Sequence, residues 1–258
     1  MRLLNQHPAV LGVAAAVAVA VLAGAAAQWA RPSNPSGLVV SGGVPLHAPA
    51  AVAPTAQIGQ APATITAPGT PPAYTAWAGA VAGQTGVPAR ALQAYAAGDA
   101  TLRVEQPGCG LTWVTLAGIG RTESDHGRYR GRTLRGDGTP STPIVGIALD
   151  GGPSVAAIAD TDRGALDADT RWDRAVGPMQ FIPSSWARWG ADANGDGVAD
   201  PQNIDDAALA AGRYLCASGR DLTVGAAWWT AVLSYNASTT YAGDVLAAAQ
   251  GYALAASS

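Results

Sequence analysis

Residues 118–127 read GIGRTESDHG and place a glutamate in the last turn of a helix that is otherwise apolar. Upstream of them, apolar and small residues recur along one helical face from Leu111, and Gly127 is a typical helix stop. These signals predict a helix from Leu111 to about Asp125. The end of this helix is an unfavourable place for a negative charge, which makes Glu123 the first candidate for chemistry.

Glu123 has the properties of a general acid. The chain has eighteen acidic residues, and the only glutamates among them are Glu105 and Glu123. The C-terminal end of a helix dipole is negative and burial disfavours ionisation, so both effects should raise the pKa of Glu123. A carboxyl that stays protonated near neutral pH can protonate a glycosidic oxygen. The alternative is an exposed helix-end glutamate paired with Arg121 or Arg128.

Helix signals also dominate the rest of the folded region. Pro88 at a first helical position and Gly98 just past the last one predict a helix over residues 89–97. Asp205 and Thr223 are typical N-caps. The predicted helices are Tyr74–Val81, Ala89–Ala97, Leu111–Asp125, Asp205–Ser218, Thr223–Tyr235 and Thr240–Ala253.

A long segment between Arg128 and Val176 has no helical period. Within it, the apolar run Ile144–Leu149 precedes an Asp-Gly-Gly turn and is consistent with a small strand or hairpin. An irregular stretch of this length inside a compact domain is usually functional. The predicted fold class is therefore mainly α with a small irregular or β insert.

The N-terminal part of the chain differs in composition from the rest. Residues 9–27 form an uncharged apolar run that follows a Met-Arg start and ends in three alanines, as in a signal peptide, and the run just reaches the length of a membrane span. We therefore expect residues 1–30 to be a signal peptide or an N-terminal membrane anchor, and residues 31–72, rich in Pro and Ala, to be a disordered linker. Residues 73–258 form the predicted catalytic domain of an exported protein of the cell envelope or the exterior.

Three short segments follow one another along the folded region: Gly120–Gly127, Ala175–Pro183 (AVGPMQFIP) and Leu233–Asn236 (LSYN). In this order they resemble the Glu-Ser pair, the Gly-x-Met-Gln box and the Tyr-Asn box of lytic transglycosylases. The similarity begins near Trp77 and is closest to actinobacterial relatives of the membrane-bound B type. It implies a lysozyme-like transglycosylase domain with a groove for peptidoglycan glycan strands.

The resemblance also implies a reaction and a set of roles. The β-1,4 bond between N-acetylmuramic acid and N-acetylglucosamine would be cleaved without water, giving 1,6-anhydro-muramyl ends. Glu123 would protonate the leaving oxygen and then take a proton from the muramyl 6-hydroxyl. The substrate-binding side chains implied by the resemblance are Met179, Gln180, Tyr235, Asn236 and Tyr241.

Two other functions are compatible with the sequence. A lysozyme-type hydrolase, or muramidase, would need a second carboxylate across the bond. Glu105 is expected at the far end of the Glu123 helix, roughly 20 Å or more away, so an Asp would have to serve. The acidic candidates are Asp160, Asp162, Asp167, Asp169 and Asp173. The second alternative is a catalytically inactive module that binds cell-wall glycan.

The segment DANGDGVAD, residues 192–200, fits the start of a calcium loop, with oxygen side chains at positions 1, 3, 5 and 9 and glycine at position 6. The twelfth position, usually Glu, is Asn203, and the closing ligand is left unassigned between it, Asp205 and Asp206. The alternative is a Gly/Asp-rich turn with a helix cap. The predicted ligands of a structural Ca²⁺ are Asp192, Asn194, Asp196, the carbonyl of Val198 and Asp200. No organic cofactor is predicted.

The two cysteines, Cys109 and Cys216, are predicted to form a disulfide, because an even count in an exported chain favours one. The residues argue against a zinc site as the alternative use, since two cysteines without nearby histidines cannot supply four ligands.

The charge pattern argues against nucleic acid as a partner. The net charge is −3, and nucleic-acid-binding domains normally carry a basic patch. The basic run Arg128, Arg130, Arg132 and Arg135 lies in a Gly/Thr-rich loop without an aromatic ladder, which indicates a solvated loop. If it binds a ligand, carboxylates of wall peptides suit it better than phosphate. Residues 9–27 remain the candidate membrane tether, and the sequence names no protein partner.

Overall fold

The structure, a computed structural model, describes residues 72–153 and 155–257. Within these ranges the segments of helical spacing form seven α-helices: α1 Pro72–Thr85, α2 Ala89–Glu105, α3 Trp113–Ser124, α4 Pro183–Trp189, α5 Ile204–Leu215, α6 Gly225–Tyr235 and α7 Thr239–Ala255. Two short strands, β1 Val145–Ala148 and β2 Arg174–Val176, pair antiparallel. The predicted class, mainly α with a small β insert, is confirmed.

The predicted helices match the observed ones within about one turn, except at the C-terminal end of α2. That helix continues past Gly98 to Glu105, so Gly98 is not a stop. A Cβ on Gly98 would lie 3.3 Å from Leu116 Cδ1 and 3.6 Å from the backbone of Ala208, because α2 packs closely against α3 and α5 there. The glycine therefore serves helix packing.

The extension of α2 corrects the expected place of Glu105. It is the last residue of α2 and does not belong to the Glu123 helix. Its carboxylate pairs with Arg213 of α5 at 2.7 Å. This glutamate therefore stabilises the contact between two helices of the body.

Two predicted caps are also replaced by neighbouring residues. Asn203 is the N-cap of α5, where its Oδ1 accepts a hydrogen bond from the Asp205 backbone at 2.9 Å, while the Asp205 side chain pairs with Arg90. Helix α6 begins at Gly225 after Val224, without a side-chain cap, and the Thr223 hydroxyl donates to Asp221 instead. Each polar side chain had a nearer competing partner than the helix terminus.

Helix α3 lies in the middle of the core. Every residue from Trp113 to Gly120 is buried. The N-terminus of the helix is fixed by Asp99 of α2, whose carboxylate accepts the Trp113 backbone N–H at 3.0 Å and also pairs with Arg103. Further along, a Cβ on Gly118 would lie 2.7 Å from the Val245 carbonyl oxygen, so α3 and α7 meet backbone to backbone.

The basic run is part of the loop that follows α3. Arg132 donates to the carbonyl oxygens of Tyr129, Thr142 and Pro143, which ties the two arms of the loop together. Arg130 is exposed, and its guanidinium lies 5.3 Å from the Tyr129 ring centroid. These contacts fit the predicted solvated loop.

The predicted disulfide between Cys109 and Cys216 is present, with Cα atoms 5.5 Å apart, and it joins the segment before α3 to the end of α5. No helix among the described residues is long and apolar enough to cross a membrane. The predicted signal or anchor, residues 1–30, and the predicted linker, residues 31–72, lie outside the described residues apart from Pro72, where α1 begins.

Replacing both cysteines by alanine, Cys109→Ala with Cys216→Ala, should lower the free energy of unfolding. The bond spans 107 residues of sequence, and native disulfides typically contribute about 2–4 kcal/mol by restricting the unfolded chain. Urea unfolding of the variant and of the oxidised parent measures the difference. Intact mass after alkylation without reductant should show no label, and two labelled thiols in the exported protein would contradict the bond.

Candidate active site

Glu123 lies one residue before the end of α3, where the chain makes a left-handed turn. Asp125, His126 and Gly127 all have positive φ, at 52°, 59° and 83°. The Asp125 N–H donates to Arg121 O at 3.1 Å, and the His126 N–H donates to Gly120 O at 2.8 Å. These bonds satisfy carbonyls of the last helical turn and stop the helix directly beyond Glu123.

Among the residues that the structure describes, the hydrogen-bond partner of the Glu123 carboxyl is the Tyr241 hydroxyl of α7, which donates to Oε1 at 2.5 Å. Burial raises the pKa of Glu123 to about 8, and the Tyr241 hydrogen bond lowers it in part. The residue as a whole is neither fully buried nor exposed, although its carboxyl is largely removed from water. The predicted rise in pKa is therefore supported, with burial as its main cause.

The alternative pairing of Glu123 with a nearby arginine is not observed. Arg121 and Arg128 both pair with the Asp125 carboxylate, the second at 3.0 Å. The left-handed turn places this Asp within reach of both guanidinium groups. Glu123 is left facing α7.

A tight turn at residues 177–180 lies against the end of α3. Gly177 has φ 77°, and a Cβ there would lie 1.7 Å from the Pro201 carbonyl oxygen, so no side chain fits. The Ser124 hydroxyl donates to Pro178 O at 2.6 Å and accepts the Gly127 N–H at 2.7 Å. Ser124, the residue directly after Glu123, therefore connects the end of α3 to the second motif. The sequence did not indicate this role.

Met179 and Gln180 of this turn have different environments. Met179 is fully buried, and its sulfur would lie 3.4 Å from a Cβ on Gly120, so it packs beneath α3. Gln180 is partly exposed and has φ 50°, a conformation that costs free energy for an L-residue and is common at functional sites. Its Nε2 donates to Gly177 O at 2.8 Å, which fixes the amide relative to the turn.

The third motif completes the surroundings of Glu123. The Tyr235 hydroxyl donates to Met179 O at 2.7 Å and so joins the end of α6 to the turn. Buried Asn236 accepts the Ser238 N–H at 3.1 Å, and Ser238 caps α7 by accepting the Tyr241 N–H at 3.2 Å. Asn236 thus orients the start of the helix that carries Tyr241.

The tyrosines near Glu123 remain neutral donors. Burial, together with the neighbouring Glu123 carboxyl, raises the pKa of both Tyr235 and Tyr241 well above the ordinary value. The structure therefore brings together Glu123, Tyr241, Tyr235 and, through the turn, Gln180. It also places Asn236 behind them as a support of α7.

The aspartates that could supply a second carboxylate accept hydrogen bonds from backbone N–H groups of their own segment. Asp160, Asp162 and Asp173 bring carboxylate oxygens within 4.8 Å of one another. Asp173 is buried and accepts both the N–H and the hydroxyl of Thr161. Asp167 and Asp169 likewise accept backbone N–H groups of the insert. These carboxylates stabilise turns of the insert.

The predicted calcium loop forms a compact turn. Asp192 accepts the backbone N–H groups of Gly195 at 2.7 Å and Gly197 at 2.8 Å, and both glycines have positive φ. Asp206, which is fully buried, accepts the backbone N–H groups of Ala193, Asn194 and Asp200. Burial raises the pKa of Asp206 to about 6.

The three candidates for the closing calcium ligand already bond to other groups of the protein. Asn203 caps α5 and donates to Asp137 O, Asp205 pairs with Arg90, and Asp206 holds the ends of the loop. Among the described residues, the carboxylates that converge as a group of three belong to the Asp160 cluster and not to this loop.

Comparison with known proteins gives a partial match. Among solved structures the chain is similar to the Escherichia coli lytic transglycosylase Slt35 in complex with bulgecin A, with a TM-score of 0.42, 16% sequence identity, and coverage of 75% of this chain and 82% of that chain. No curated protein matches. Residues 155–229 match the family model described as the transglycosylase SLT domain. That segment includes Gln180 and the 192–200 loop but not Glu123 or Tyr241, so under a third of the chain carries the family match.

Proposed function

We propose that the protein is a peptidoglycan lytic transglycosylase, similar to the membrane-bound B type, with Glu123 as its acid and base. The observation that carries the proposal is the environment of the Glu123 carboxyl. Burial raises the pKa of Glu123 to about 8, and Tyr241 holds the carboxyl beside a turn that matches a transglycosylase domain. A cell-envelope location, with residues 9–27 as signal or tether, suits this substrate.

The raised pKa fits the first half of the reaction. At pH 7 most of the Glu123 carboxyl is protonated, so it can donate to the glycosidic oxygen as the bond to the muramyl C1 breaks. The leaving N-acetylglucosamine keeps this proton as a hydroxyl. The Glu123 carboxylate that results is stabilised by the Tyr241 hydrogen bond.

The second half closes the product without water. The acetamido group of the muramyl residue stabilises the positive charge at C1, so a second protein carboxylate is not required. The 6-hydroxyl then attacks C1 and gives its proton to Glu123, which restores the acid. The product is a 1,6-anhydro end, and the enzyme is again protonated.

The other side chains position the sugar and the acid. Partly exposed Gln180 offers its amide beside the cleaved bond, and Tyr241 contacts Glu123 directly. Tyr235 and Met179 fix the turn through their hydrogen bond, and Asn236 orients the start of α7. We assign sugar contact first to Gln180, which is partly exposed, and assign buried Tyr241 to holding the Glu123 carboxyl.

Glu123→Gln should reduce the release of soluble fragments from purified peptidoglycan to less than about 1% of the parent rate, since amides do not donate or accept the proton required. The variant should fold, because Gln is similar in size and can still accept from Tyr241. A variant that clears wall at more than a few per cent of the parent rate would contradict the assignment of Glu123.

The same variant provides a control that does not depend on turnover. The pKa of Glu123 rises from 4.5 to about 8 on folding, so folding takes up a proton between these values and the parent loses stability as pH rises through this window. Gln does not titrate. The melting temperature of Glu123→Gln relative to the parent should therefore increase from pH 5 to pH 9, and a constant difference would argue against a buried carboxyl.

Product mass separates the proposed reaction from hydrolysis. Digests of purified wall should contain 1,6-anhydro-muramyl ends, which are one water lighter than reducing ends. Reducing ends that incorporate oxygen from labelled water would identify a muramidase, with its second carboxylate to be sought among Asp160, Asp162 and Asp173. A parent protein that binds wall without cleaving it would identify a glycan-binding module.

We also propose that the 192–200 loop binds Ca²⁺ for stability. The donor set is of hard oxygens, Gly197 at position 6 has φ 89°, and Asp192 already accepts its N–H, as the sharp turn of such a loop requires. The ion would be held by Asp192, Asn194, Asp196, the Val198 carbonyl and Asp200. It would supply charge neutralisation to the loop and take no part in the reaction.

Calcium added to chelated protein should raise its melting temperature, because a ligand that binds only the folded state stabilises it by mass action. Asp192→Ala with Asp196→Ala should remove this response. Asp160→Asn with Asp162→Asn is the matched control and should keep it. A response lost in the control but kept in the loop variant would place the ion at the Asp160 cluster, and no response in the parent would leave the loop a plain turn.

A further inference from the structure

His126, three residues after Glu123, is completely buried between two tyrosine hydroxyls. Its Nδ1 lies 3.1 Å from the Tyr95 hydroxyl of α2, and its Nε2 lies 2.9 Å from the Tyr252 hydroxyl of α7. The imidazole therefore bridges α2 and α7, both of which pack against α3. None of the roles assigned above uses it.

The backbone of His126 is as constrained as its side chain. Its φ of 59° lies in the left-handed region, which only a few per cent of residues other than glycine adopt and in which Asn, Asp and His are enriched. Its N–H donates to Gly120 O at 2.8 Å and closes the turn that contains Glu123. Three hydrogen bonds therefore hold this one residue in an uncommon conformation.

Tyr95 lies directly beneath the same turn. A Cβ on Gly120 would come within 2.0 Å of the Tyr95 hydroxyl oxygen, so only glycine lets the tyrosine reach His126. The fully buried Tyr95 hydroxyl needs an acceptor, and Nδ1 is the one beside it. Nδ1 therefore accepts the hydrogen bond of the Tyr95 hydroxyl, and the Nε2–H donates to the Tyr252 hydroxyl. Tyr252 is partly exposed, so its own hydroxyl proton can form a hydrogen bond with water.

The imidazole is neutral in this setting. Burial lowers the pKa of His126 to about 3, opposed by Asp125 and assisted by Arg128 and Arg121. The titratable groups that face it from the neighbouring helices are Tyr95 and Tyr252. A neutral imidazole with one donor and one acceptor matches two hydroxyls in series, which a cation with two donors does not.

We propose that His126 is a positioning residue for Glu123. It ties the turn after the acid to α2 through Tyr95 and to α7 through Tyr252, while Tyr241 of the same α7 holds the Glu123 carboxyl. Without the hydrogen bonds of the His126 side chain the turn becomes mobile. The Glu123 carboxyl is then hydrated and loses its alignment with Tyr241. The inference rests on the proposed function for its kinetic consequences, but not for its effect on the carboxyl.

The first test is His126→Asn, since Asn tolerates the left-handed backbone. With soluble glycan strands as substrate, kcat should fall at least about tenfold, as misplaced catalytic groups lose alignment, while KM stays within about twofold of the parent. The alkaline limb of the pH–rate profile should move to lower pH, because hydration returns the pKa of Glu123 toward its ordinary value.

The matched control is Thr115→Val, which removes a buried 3.1 Å hydrogen bond from Trp228 at the start of the same helix. It should lower the melting temperature without moving the pH–rate profile. Tyr252→Phe keeps the ring and removes the hydrogen bond to His126 Nε2. It should therefore move the alkaline limb of the pH–rate profile to lower pH, as His126→Asn does, but by a smaller amount. It also keeps the test decisive if His126→Asn does not fold.

The second measurement is independent of activity. Because Glu105 and Glu123 are the only glutamates, labelling glutamate side-chain carboxyls with ¹³C gives two resonances to titrate. The pKa of Glu123 should fall in His126→Asn and Tyr252→Phe and stay at the parent value in Thr115→Val. An unchanged Glu123 titration in whichever of the His126 and Tyr252 variants fold would overturn the proposal. A shifted titration in a protein that never cleaves wall would uphold it and refute the proposed function.

Discussion

At Gly118 and Gly120 the backbone of α3 has no side chain between itself and its neighbours. The Val245 carbonyl of α7 occupies the place of one missing Cβ and the Tyr95 hydroxyl of α2 occupies the other. This close approach removes water from the side of α3 that faces α2 and α7, and burial is the main reason why the pKa of Glu123 rises. Larger residues at either glycine would separate the helices and hydrate the acid. The acid therefore depends on residues that have no chemistry of their own.

The local part of this arrangement could be predicted from the sequence. Helix α3 and its stop follow from spacing and from Gly127, and burial of the carboxyl follows from the apolar residues before it. The partner of the carboxyl could not be predicted, since Tyr241 is 118 residues away and reaches Glu123 only through the packing of α7 on α3. His126 was within the quoted motif, but nothing local indicated two hydroxyl partners.

The errors have a common physical origin. A glycine in a helical pattern can mark a helix stop or a close contact between helices, and Gly98 lies in such a contact with α3 and α5. An Asp before a helix signals a cap unless a cation competes, and Arg90 competes for Asp205. The aspartates of the insert can serve catalysis or their own backbone, and they accept N–H groups throughout it. For Asp205 and Gly98 the decisive neighbour is distant in sequence, whereas the aspartates of the insert bond to N–H groups within twelve residues.

The disulfide divides the candidate site topologically. Glu123, Met179 and Gln180 lie inside the covalent ring closed by Cys109 and Cys216, whereas Tyr235, Asn236 and Tyr241 follow it on α6 and α7. The bond thus restricts the first group in the unfolded chain and leaves the second group outside that restraint. An oxidised chain whose last two helices have not docked holds the acid without its hydroxyl partner. The candidate site is therefore complete only when α6 and α7 have docked against the rest of the domain.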